Sequence, residues 1–185
     1  MVNKTKEYIF NGDIFQCVVS RRFETEYNGS LLNAYRVLRI TNPSPYMVYT
    51  NIEGDEIIST SPETLVKLQN GVLNTFPIAG SRPRGATKEE DDALADELIN
   101  DEKELAEHNM LVDLGRNDIG KISKFNSVKV TSYQQILRYS KIMHICSEVE
   151  GKLKDGLDAF DAVESLLPAG TLSGAPKIRA CQIID

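Results

Sequence analysis

The stretch DEKELAEHNMLVDLGRND, residues 101–118, carries more chemically active side chains than any other part of the chain. Residues three or four apart are neighbours on a helix, so a helix here would place four ionisable groups on one face: Asp101, Glu104, Glu107 and His108. Only Lys103 interrupts these acids. Three carboxylates and an imidazole repel one another unless a cation or a proton lies between them. The spacing therefore indicates either a site for a cation or proton transfer, or a solvated acidic face.

The same region supplies an apolar stripe. Aliphatic side chains recur at intervals of four and seven residues, at Leu94, Leu98, Leu105 and Val112. On one helix this stripe would lie opposite the acidic face and pack into a core. We therefore expect a long helix with one buried and one chemically active face.

The composition is that of an ordinary soluble globular protein. The 185 residues suffice for one domain with a core, and 41% are hydrophobic and 26% charged. No apolar run approaches the about 18 residues of a membrane helix, and no leader is visible, so neither membrane spanning nor secretion is expected. Three separated cysteines without CxxC spacing, Cys17, Cys146 and Cys181, indicate reduced thiols in a cytoplasmic protein.

The charge balance narrows the class of partner. The formal net charge is −6, whereas affinity for nucleic acid comes mostly from neutralising phosphates with basic residues. A nucleic-acid partner is therefore not expected. An anionic substrate stays possible where basic groups are concentrated locally.

Local patterns in the first half of the chain predict mainly strands. In chain order they are the end of a helix before Asn11, a β-rich run at residues 14–22, a short amphipathic helix at 31–40 and strands at 46–52, 56–61, 64–69 and 72–76. Asn70-Gly71 between the last two strands is a strong hairpin signal. Residues 77–85, PIAGSRPRG, hold two glycines, two prolines and two arginines, and we expect a loop that offers hydrogen-bond donors.

The second half mixes helices and strands. Strands are expected at residues 128–131 and 142–149, a helix at 156–167, and a small-residue loop at 168–177 that leads into a helix starting near Pro176. Backbone N–H groups at that helix start, with Lys177 and Arg179, would form an anion site. These elements predict an α+β fold, a mainly antiparallel sheet packed with helices.

Seven segments, taken together, resemble a known family. They are GDIFQCVVSRRF, NPSPYMVY, TSPETLVK, PIAGSRPRG, DEKELAEHNMLVDLGRNDIG, MHICSEVEG and PAGTLSGAPKIRA. In this order and spacing they resemble the chorismate-utilising enzymes, and among these the chorismate-binding domain of anthranilate synthase component I. The resemblance covers nearly the whole chain. It implies a partial chorismate-binding fold of the kind found in aminodeoxychorismate (ADC) synthase.

The resemblance implies a magnesium-dependent lyase of tryptophan biosynthesis. Ammonia would add to C2 of chorismate with loss of the 4-hydroxyl, and elimination of pyruvate would then give anthranilate. The family further implies Mg²⁺ as cofactor, glutamine-derived ammonia from an amidotransferase subunit (component II), and tryptophan as feedback inhibitor of the full-length protein.

The family motifs assign catalytic and metal-binding roles. Glu63, in TSPE, matches the glutamate that protonates the leaving hydroxyl, although a strand-end carboxylate in solvent would look the same. His144 matches a histidine beside the ring, placed for proton transfer or polarisation; a satisfied core histidine is the alternative. Glu107 matches a magnesium ligand, and Glu104 a neighbouring carboxylate that supports the metal directly or through water.

Other matched positions concern the substrate. Thr171 and the N–H groups around Gly170 match the loop that holds it, and a plain glycine-proline helix entry is the alternative. Ala79 stands where aminodeoxychorismate synthases often carry a nucleophilic lysine, and Gln16 where isochorismate- and salicylate-forming relatives carry a lysine that activates water. Both positions favour ammonia as nucleophile and anthranilate as product.

The segment at residues 42–47, NPSPYM, resembles part of the family's tryptophan site. It implies allosteric roles for Pro45, Tyr46 and Met47.

Two parts of the family pattern have no counterpart in the 185 residues: an N-terminal regulatory region, and a C-terminal part of the active site that supplies substrate contacts and two more metal glutamates. We therefore expect an incomplete catalytic domain at residues 1–185 that is inactive alone and self-associates through unpaired strand edges. Alternative functions are aminodeoxychorismate synthase component I and a non-catalytic fragment that binds chorismate or tryptophan.

Overall fold

The computed structural model describes every residue from Met1 to Asp185. The chain forms two compact units, one made of Met1–Val19 and Leu65–Asp185 and the other of Ser20–Thr64. The helices are α1 (Val2–Phe10), α2 (Leu31–Thr41), α3 (Lys88–Ile99), α4 (Glu102–Gly120), α5 (Ala159–Leu166), α6 (Gly170–Ser173) and α7 (Lys177–Ile184). The strands are β1 (Gln16–Cys17), β2 (Tyr46–Ile52), β3 (Asp55–Ser61), β4 (Lys67–Gln69), β5 (Val72–Thr75), β6 (Ile78–Pro83), β7 (Lys129–Arg138), β8 (Ile142–Lys152) and β9 (Gly174–Ala175).

The smaller unit contains helix α2 and the antiparallel hairpin β2–β3. Ser30 caps α2 by accepting a hydrogen bond from the Leu32 N–H at 3.1 Å. The Ser30 hydroxyl in turn donates to the Glu56 carboxylate of β3 at 2.9 Å, which lowers the pKa of Glu56. The helix and both strands predicted for this region are confirmed, and β2 has the predicted bounds.

The larger unit is built on a five-stranded antiparallel sheet. The pairing order is β4-β5-β8-β6, in which β5 and β6 pair with successive parts of β8, Val149–Lys152 and Ile142–Cys146. Strand β7 pairs with both parts of β8 along its other edge. The predicted hairpin between β4 and β5 is confirmed, and both of its turn residues have positive φ, 53° at Asn70 and 76° at Gly71. Every strand pair in the chain is antiparallel, so the predicted α+β class is confirmed.

Two apolar clusters hold the helices on this sheet. The first consists of Leu73, Val112, Ile119, Ile122, Val149, Ala162 and Leu166. The second consists of Ala95, Leu98, Met143 and Ile145. Helix α4 contributes to the first cluster and contacts both β6 and β8. Since burial of apolar surface is the main favourable term in folding, the position of α4 is set largely by these contacts.

The predicted long helix is two helices. Helix α3 ends at Ile99, and Asp101 starts the next helix by accepting hydrogen bonds from the N–H groups of Lys103 and Glu104. The apolar stripe therefore comes from both helices: Leu98 belongs to the second cluster and Val112 to the first. A short polar side chain that bonds to nearby N–H groups ends one helix and begins another.

His108 does not belong to an acidic surface. It is fully buried, and its Nε2 lies 2.7 Å from the Ser147 Oγ of β8. Its Nδ1 has no hydrogen-bond partner. Burial lowers the pKa of His108, because a charged imidazole is disfavoured away from water. The prediction that His108 shares a chemically active face with Asp101, Glu104 and Glu107 is therefore wrong.

Residues 77–85 were predicted as a loop, and this is wrong. Residues Ile78–Pro83 form β6, which pairs with β8, and the register shifts between Ala79 and Ser81. Gly80 has φ of 70°, so it accommodates the bulge without breaking the strand. The donors are also used internally: Arg82 bonds to Glu97 and Asp101, and Arg84 binds Asp91 through two nitrogens.

Two further segments differ from prediction. The β-rich run at residues 14–22 contains only the short strand β1, which pairs with β9 through Gln16↔Ala175 and Cys17↔Gly174. The predicted loop at residues 168–177 contains the helical turn α6 and strand β9. Pairing between these distant segments shapes both, and local pattern does not show such pairing.

The three cysteines are free thiols, and burial raises the pKa of Cys146 to about 11. None of the helices is both long enough and apolar enough to cross a membrane.

The buried imidazole predicts a pH dependence of stability. Below the ordinary histidine pKa of about 6.5, the unfolded chain binds a proton at His108 that the folded chain does not. The free energy of unfolding should therefore fall as the pH is lowered from 7.5 to 5.5. Urea unfolding of His108→Met should show a shallower fall over the same range. Equal slopes for the two proteins would contradict the burial of a neutral imidazole.

Candidate active site

Helix α4 carries both predicted metal-binding glutamates, and its first turn is firmly held. Asp101 accepts from the Lys103 N–H at 3.0 Å and the Glu104 N–H at 3.2 Å, and Arg82 donates to its other oxygen at 3.0 Å. The Glu104 N–H and then Arg82 lower the pKa of Asp101. Glu104, one turn further on, is mostly buried, with its side chain 18% exposed, whereas Glu107 is exposed.

Gly80 brings two of the predicted site residues together. A Cβ atom at this position would lie 3.2 Å from Glu104 Oε2, so the carboxylate occupies space that any other residue would need. His144 Nδ1 lies 3.1 Å from the Gly80 carbonyl oxygen and 2.9 Å from Ser81 Oγ. Glu104 and His144 therefore both lie against Gly80, Glu104 beside its Cα and His144 at its carbonyl oxygen.

Nδ1 of His144 has two partners within the chain. The Gly80 carbonyl oxygen only accepts, so that contact favours a proton on Nδ1, whereas the Ser81 hydroxyl can either donate or accept. Nε2 has neither of these partners and is the ring nitrogen left for other contacts. Tyr139 packs edge-on against this ring with centroids 5.8 Å apart, and burial raises the pKa of Tyr139. His144 is half-buried, and its Nδ1 is satisfied within the chain.

A cavity of about 1040 Å³ lies beside α4. Its wall is formed by residues of β1, α4 and the start of α7: Phe15, Gln16, Ala106, Glu107, Met110, Asp113, Leu114, Asn117, Asp118, Lys121, Ala175, Pro176, Lys177 and Ile178. Three residues singled out from the sequence, Gln16, Glu107 and Lys177, line the same space. Glu104 and Glu107 lie three residues apart on α4, so this helix links the cavity to the Gly80 bulge.

The predicted substrate segment packs on the same helix. A Cβ atom on Gly170 would lie 2.2 Å from Leu114 Cδ2, so only glycine permits this approach of α6 to α4. Gly170 is buried and Thr171, the next residue, is half-buried. Ala79 is half-buried on β6, opposite Ile145 of β8 and next to the bulge.

The predicted anion site at the start of α7 lacks free basic groups. Lys177 Nζ lies 2.8 Å from Asp118 Oδ1, and Arg179 donates to Asp13 Oδ1 at 2.9 and 3.1 Å. Arg179 also lies over the Tyr8 ring, 5.5 Å from its centroid. Both charges are therefore compensated by carboxylates of the same chain, and the expectation of a free basic pair is wrong.

Glu63 and the predicted allosteric residues belong to the smaller unit. Glu63 is half-buried after the end of β3, where its N–H bonds to Ser61 Oγ at 3.3 Å. Tyr46 pairs with Ser61 across the hairpin, and its hydroxyl lies 2.6 Å from Thr64 Oγ1. Met47 accepts a bond from the Tyr35 hydroxyl through its carbonyl oxygen, and Pro45 precedes the strand. Within this unit Glu63 therefore lies at the hairpin end where Tyr46 begins.

The sequence did not reveal the residues that hold the site in place. Ser147 Oγ accepts from the Gln134 N–H at 2.9 Å besides contacting His108, and Gln134 has φ of 52° at an irregular point of β7. Asp118 is the second such residue, through its pair with Lys177. A serine inside the apolar strand at residues 142–149 was the only local signal of the first contact.

Helix α4 offers two carboxylates that could bind Mg²⁺, those of Glu104 and Glu107. Two carboxylates are hard oxygen ligands, and Mg²⁺ usually takes few of these and completes its shell with water or substrate oxygens. The chain gathers no group of three or more His, Cys, Asp or Glu side chains that could hold a metal ion. Any site on these residues would therefore rest on Glu104 and Glu107.

These features accompany a match to a known family. The chain matches the chorismate binding enzyme family over residues 1–185. It belongs to that family, as the sequence motifs indicated.

Named relatives agree with this assignment. The chain is 57% identical over 184 residues to anthranilate synthase component 1 of Acetivibrio thermocellus, covering 100% of this chain and 37% of that protein. It is 53% identical over 184 residues to the component of the same name in Bacillus subtilis, covering 100% of this chain and 36% of that protein. The chain thus spans well under half the length of these relatives.

Solved structures show the same fold. Anthranilate synthase component I from Streptococcus pneumoniae TIGR4 matches with a TM-score of 0.85 and 50% identity, over 99% of this chain and 40% of that one. A putative 2,3-dihydroxybenzoate-specific isochorismate synthase from Bacillus anthracis matches with a TM-score of 0.72 and 25% identity, over 99% of this chain and 50% of that one.

The bulge at Gly80 can be tested with a matched pair of substitutions. Gly71→Ala introduces a side chain at a similar positive φ in open space, and should lower the free energy of unfolding by about 1 kcal/mol. Gly80→Ala adds close contacts with Glu104, Leu98 and Ile145, and should cost at least about 1 kcal/mol more. Urea unfolding measures both. Equal losses would show that Glu104 is free to move away from β6.

Proposed function

We propose that the chain supplies part of the active site of an anthranilate synthase component I, a lyase of tryptophan biosynthesis. The reaction is chorismate plus ammonia to anthranilate, pyruvate and water. The observation that carries the proposal is the whole-chain identity of 57% to a protein of that name. A second observation supports it: the predicted site residues Glu104 and His144 both lie against Gly80, Glu104 beside its Cα and His144 at its carbonyl oxygen.

Each step of this reaction needs a group that the chain offers. Ammonia attacks C2 of chorismate while the 4-hydroxyl leaves as water, so a proton must reach the leaving oxygen; Glu63 takes that role. The C2 proton is then removed as the enolpyruvyl group departs as pyruvate. An imidazole can accept a proton, so His144 suits that transfer.

Mg²⁺ would be held by Glu107, with Glu104 supporting it directly or through water. When bound, the cation would neutralise a substrate carboxylate. The position of the two glutamates supports this assignment, because Glu104 lies beside Gly80 and Glu107, three residues further along α4, lines the cavity.

Two positions favour ammonia over other nucleophiles. Gln16 on the cavity wall has no basic nitrogen, so it cannot activate water as a lysine does. Ala79 on β6 cannot form a covalent bond to the substrate.

An aminodeoxychorismate synthase, the second candidate, would stop before pyruvate is eliminated. Gly170, which lies against Leu114 of α4, and its neighbour Thr171 would hold the substrate.

The proposal includes the partners of such an enzyme. Ammonia would come from glutamine through an amidotransferase subunit, since a "component 1" implies a second component. Tryptophan would act as feedback inhibitor through the segment that contains Pro45, Tyr46 and Met47. The place of this pathway would be the cytoplasm.

The decisive test uses the longest natural chain that contains these 185 residues. It is incubated with chorismate, Mg²⁺ and ammonium, and the products are identified by mass spectrometry. Anthranilate together with pyruvate is expected. A product that retains the enolpyruvyl group, either aminated or hydroxylated, would show that Gln16 and Ala79 do not discriminate as proposed.

The metal assignment predicts a specific loss in that enzyme. Glu107→Gln should raise the Mg²⁺ concentration needed for half-maximal activity by at least about tenfold, since a carboxamide is a weaker ligand for a hard cation. Calorimetric titration with Mg²⁺ should show the same weakening. Glu102→Gln, an exposed glutamate on the same helix, is the matched control. Equal effects of the two substitutions would rule out Glu107 as ligand.

A further inference from the structure

A mostly buried ion pair joins α4 to the start of α7. Lys177 Nζ lies 2.8 Å from Asp118 Oδ1, and the two side chains are only 11% and 10% exposed. We propose that this pair is a positioning device that sets where the Gly170–Ala175 segment lies against α4. The inference deepens the proposed function and rests on it for its catalytic consequence.

Lys177 closes the segment at both ends. Its ammonium also donates to the Leu166 carbonyl oxygen at 2.9 Å. Leu166 is the last residue of α5 and Lys177 the first of α7. The Lys177 side chain therefore connects the end of α5 to the start of α7, and residues 167–176 form the loop between these two points. Through its ion pair with Asp118, Lys177 also holds this loop against α4.

The segment at residues 167–176 contains the proposed substrate-binding residues Gly170 and Thr171, and its end pairs with Gln16. Gly170 contacts Leu114 one turn before Asp118 on the same helix. At the other end of the segment, Ala175 pairs with Gln16. Asp118, Lys177, Gln16 and Glu107 all line the cavity. A movement of Lys177 would therefore displace Thr171 and Gln16 relative to the glutamates of α4.

An ion pair suits this role better than apolar packing would. Apolar contact is non-directional, whereas a buried ammonium with two defined acceptors accepts few geometries. Removing one partner leaves an uncompensated charge, while replacing both by apolar residues is often tolerated by the fold. Lys88 of α3 is a control, because its Nζ pairs with Asp92 Oδ2 at 2.7 Å while its side chain is 84% exposed.

The test begins with hydrogen exchange in the full natural chain. In Lys177→Met, amides of residues 167–176 should exchange at least about tenfold faster than in the parent chain, since local opening becomes easier. Lys88→Met should leave their exchange unchanged. Equal protection in Lys177→Met and the parent would overturn the proposal. This readout needs no activity, so it decides the positioning role even if chorismate is not the substrate.

Kinetics then separate positioning from simple stability. The double variant Lys177→Met with Asp118→Leu removes the charges together and keeps the fold testable if either single variant fails to fold. We expect it to keep the Tm of the parent but to show a KM for chorismate raised at least about tenfold, with the KM for ammonia unchanged. A parent-like KM for chorismate in this stable variant would overturn the proposal. Absence of turnover by the parent chain would instead refute the proposed function alone.

Discussion

The larger unit depends on how helix α4 lies across strand β8. Val112 and Ile119 bury apolar surface against Val149, which favours contact but leaves the rotation of the helix about its axis loosely defined. The buried bond from His108 Nε2 to Ser147 Oγ, 2.7 Å long, supplies the missing direction. A shift of one residue turns a helix by about 100°, which would carry the imidazole away from Ser147 and Glu104 away from Gly80. One buried polar contact thus decides which side chains face the sheet.

Once α4 is fixed, it spaces the remaining parts of the candidate site along its length. Glu104 lies beside the Gly80 bulge near its start, Leu114 meets Gly170 further along, and Asp118 meets Lys177 near its end. From Glu104 to Asp118 the axis extends about 21 Å, at about 1.5 Å per residue. The sheet and the segment at residues 167–176 are therefore held at a set separation by a rigid element, which suits a site whose groups must act together.

Local sequence patterns predicted the elements whose partners lie nearby in the chain. Strand β2 and helix α2 are periodic, and the β4–β5 hairpin has Asn70-Gly71 at its turn, so local chemistry suffices for them. The loop predicted at residues 77–85 was wrong because it relied on glycine and proline, whereas pairing with β8 makes Ile78–Pro83 a strand. The prediction for His108 was wrong because a distant residue again decides its position: its partner Ser147 lies on β8. Such distant contacts leave no periodic trace in the sequence.

The candidate site divides in the same way. Family motifs indicated Glu104, Glu107 and His144, and the first and last of these each lie against Gly80. They did not reveal what the basic residues around them do. Arg82, Lys177 and Arg179 stand in the motifs as apparent anion ligands, yet each is paired with a carboxylate of this chain. A dicarboxylate substrate would therefore find these charges already compensated. The paired basic residues instead hold elements of this chain together: Arg82 joins β6 to the first turn of α4, and Lys177 joins the start of α7 to the last turn of α4. Under the proposed function, a substrate carboxylate would then be bound by other groups, such as N–H groups near Thr171 or a cation on the glutamates of α4.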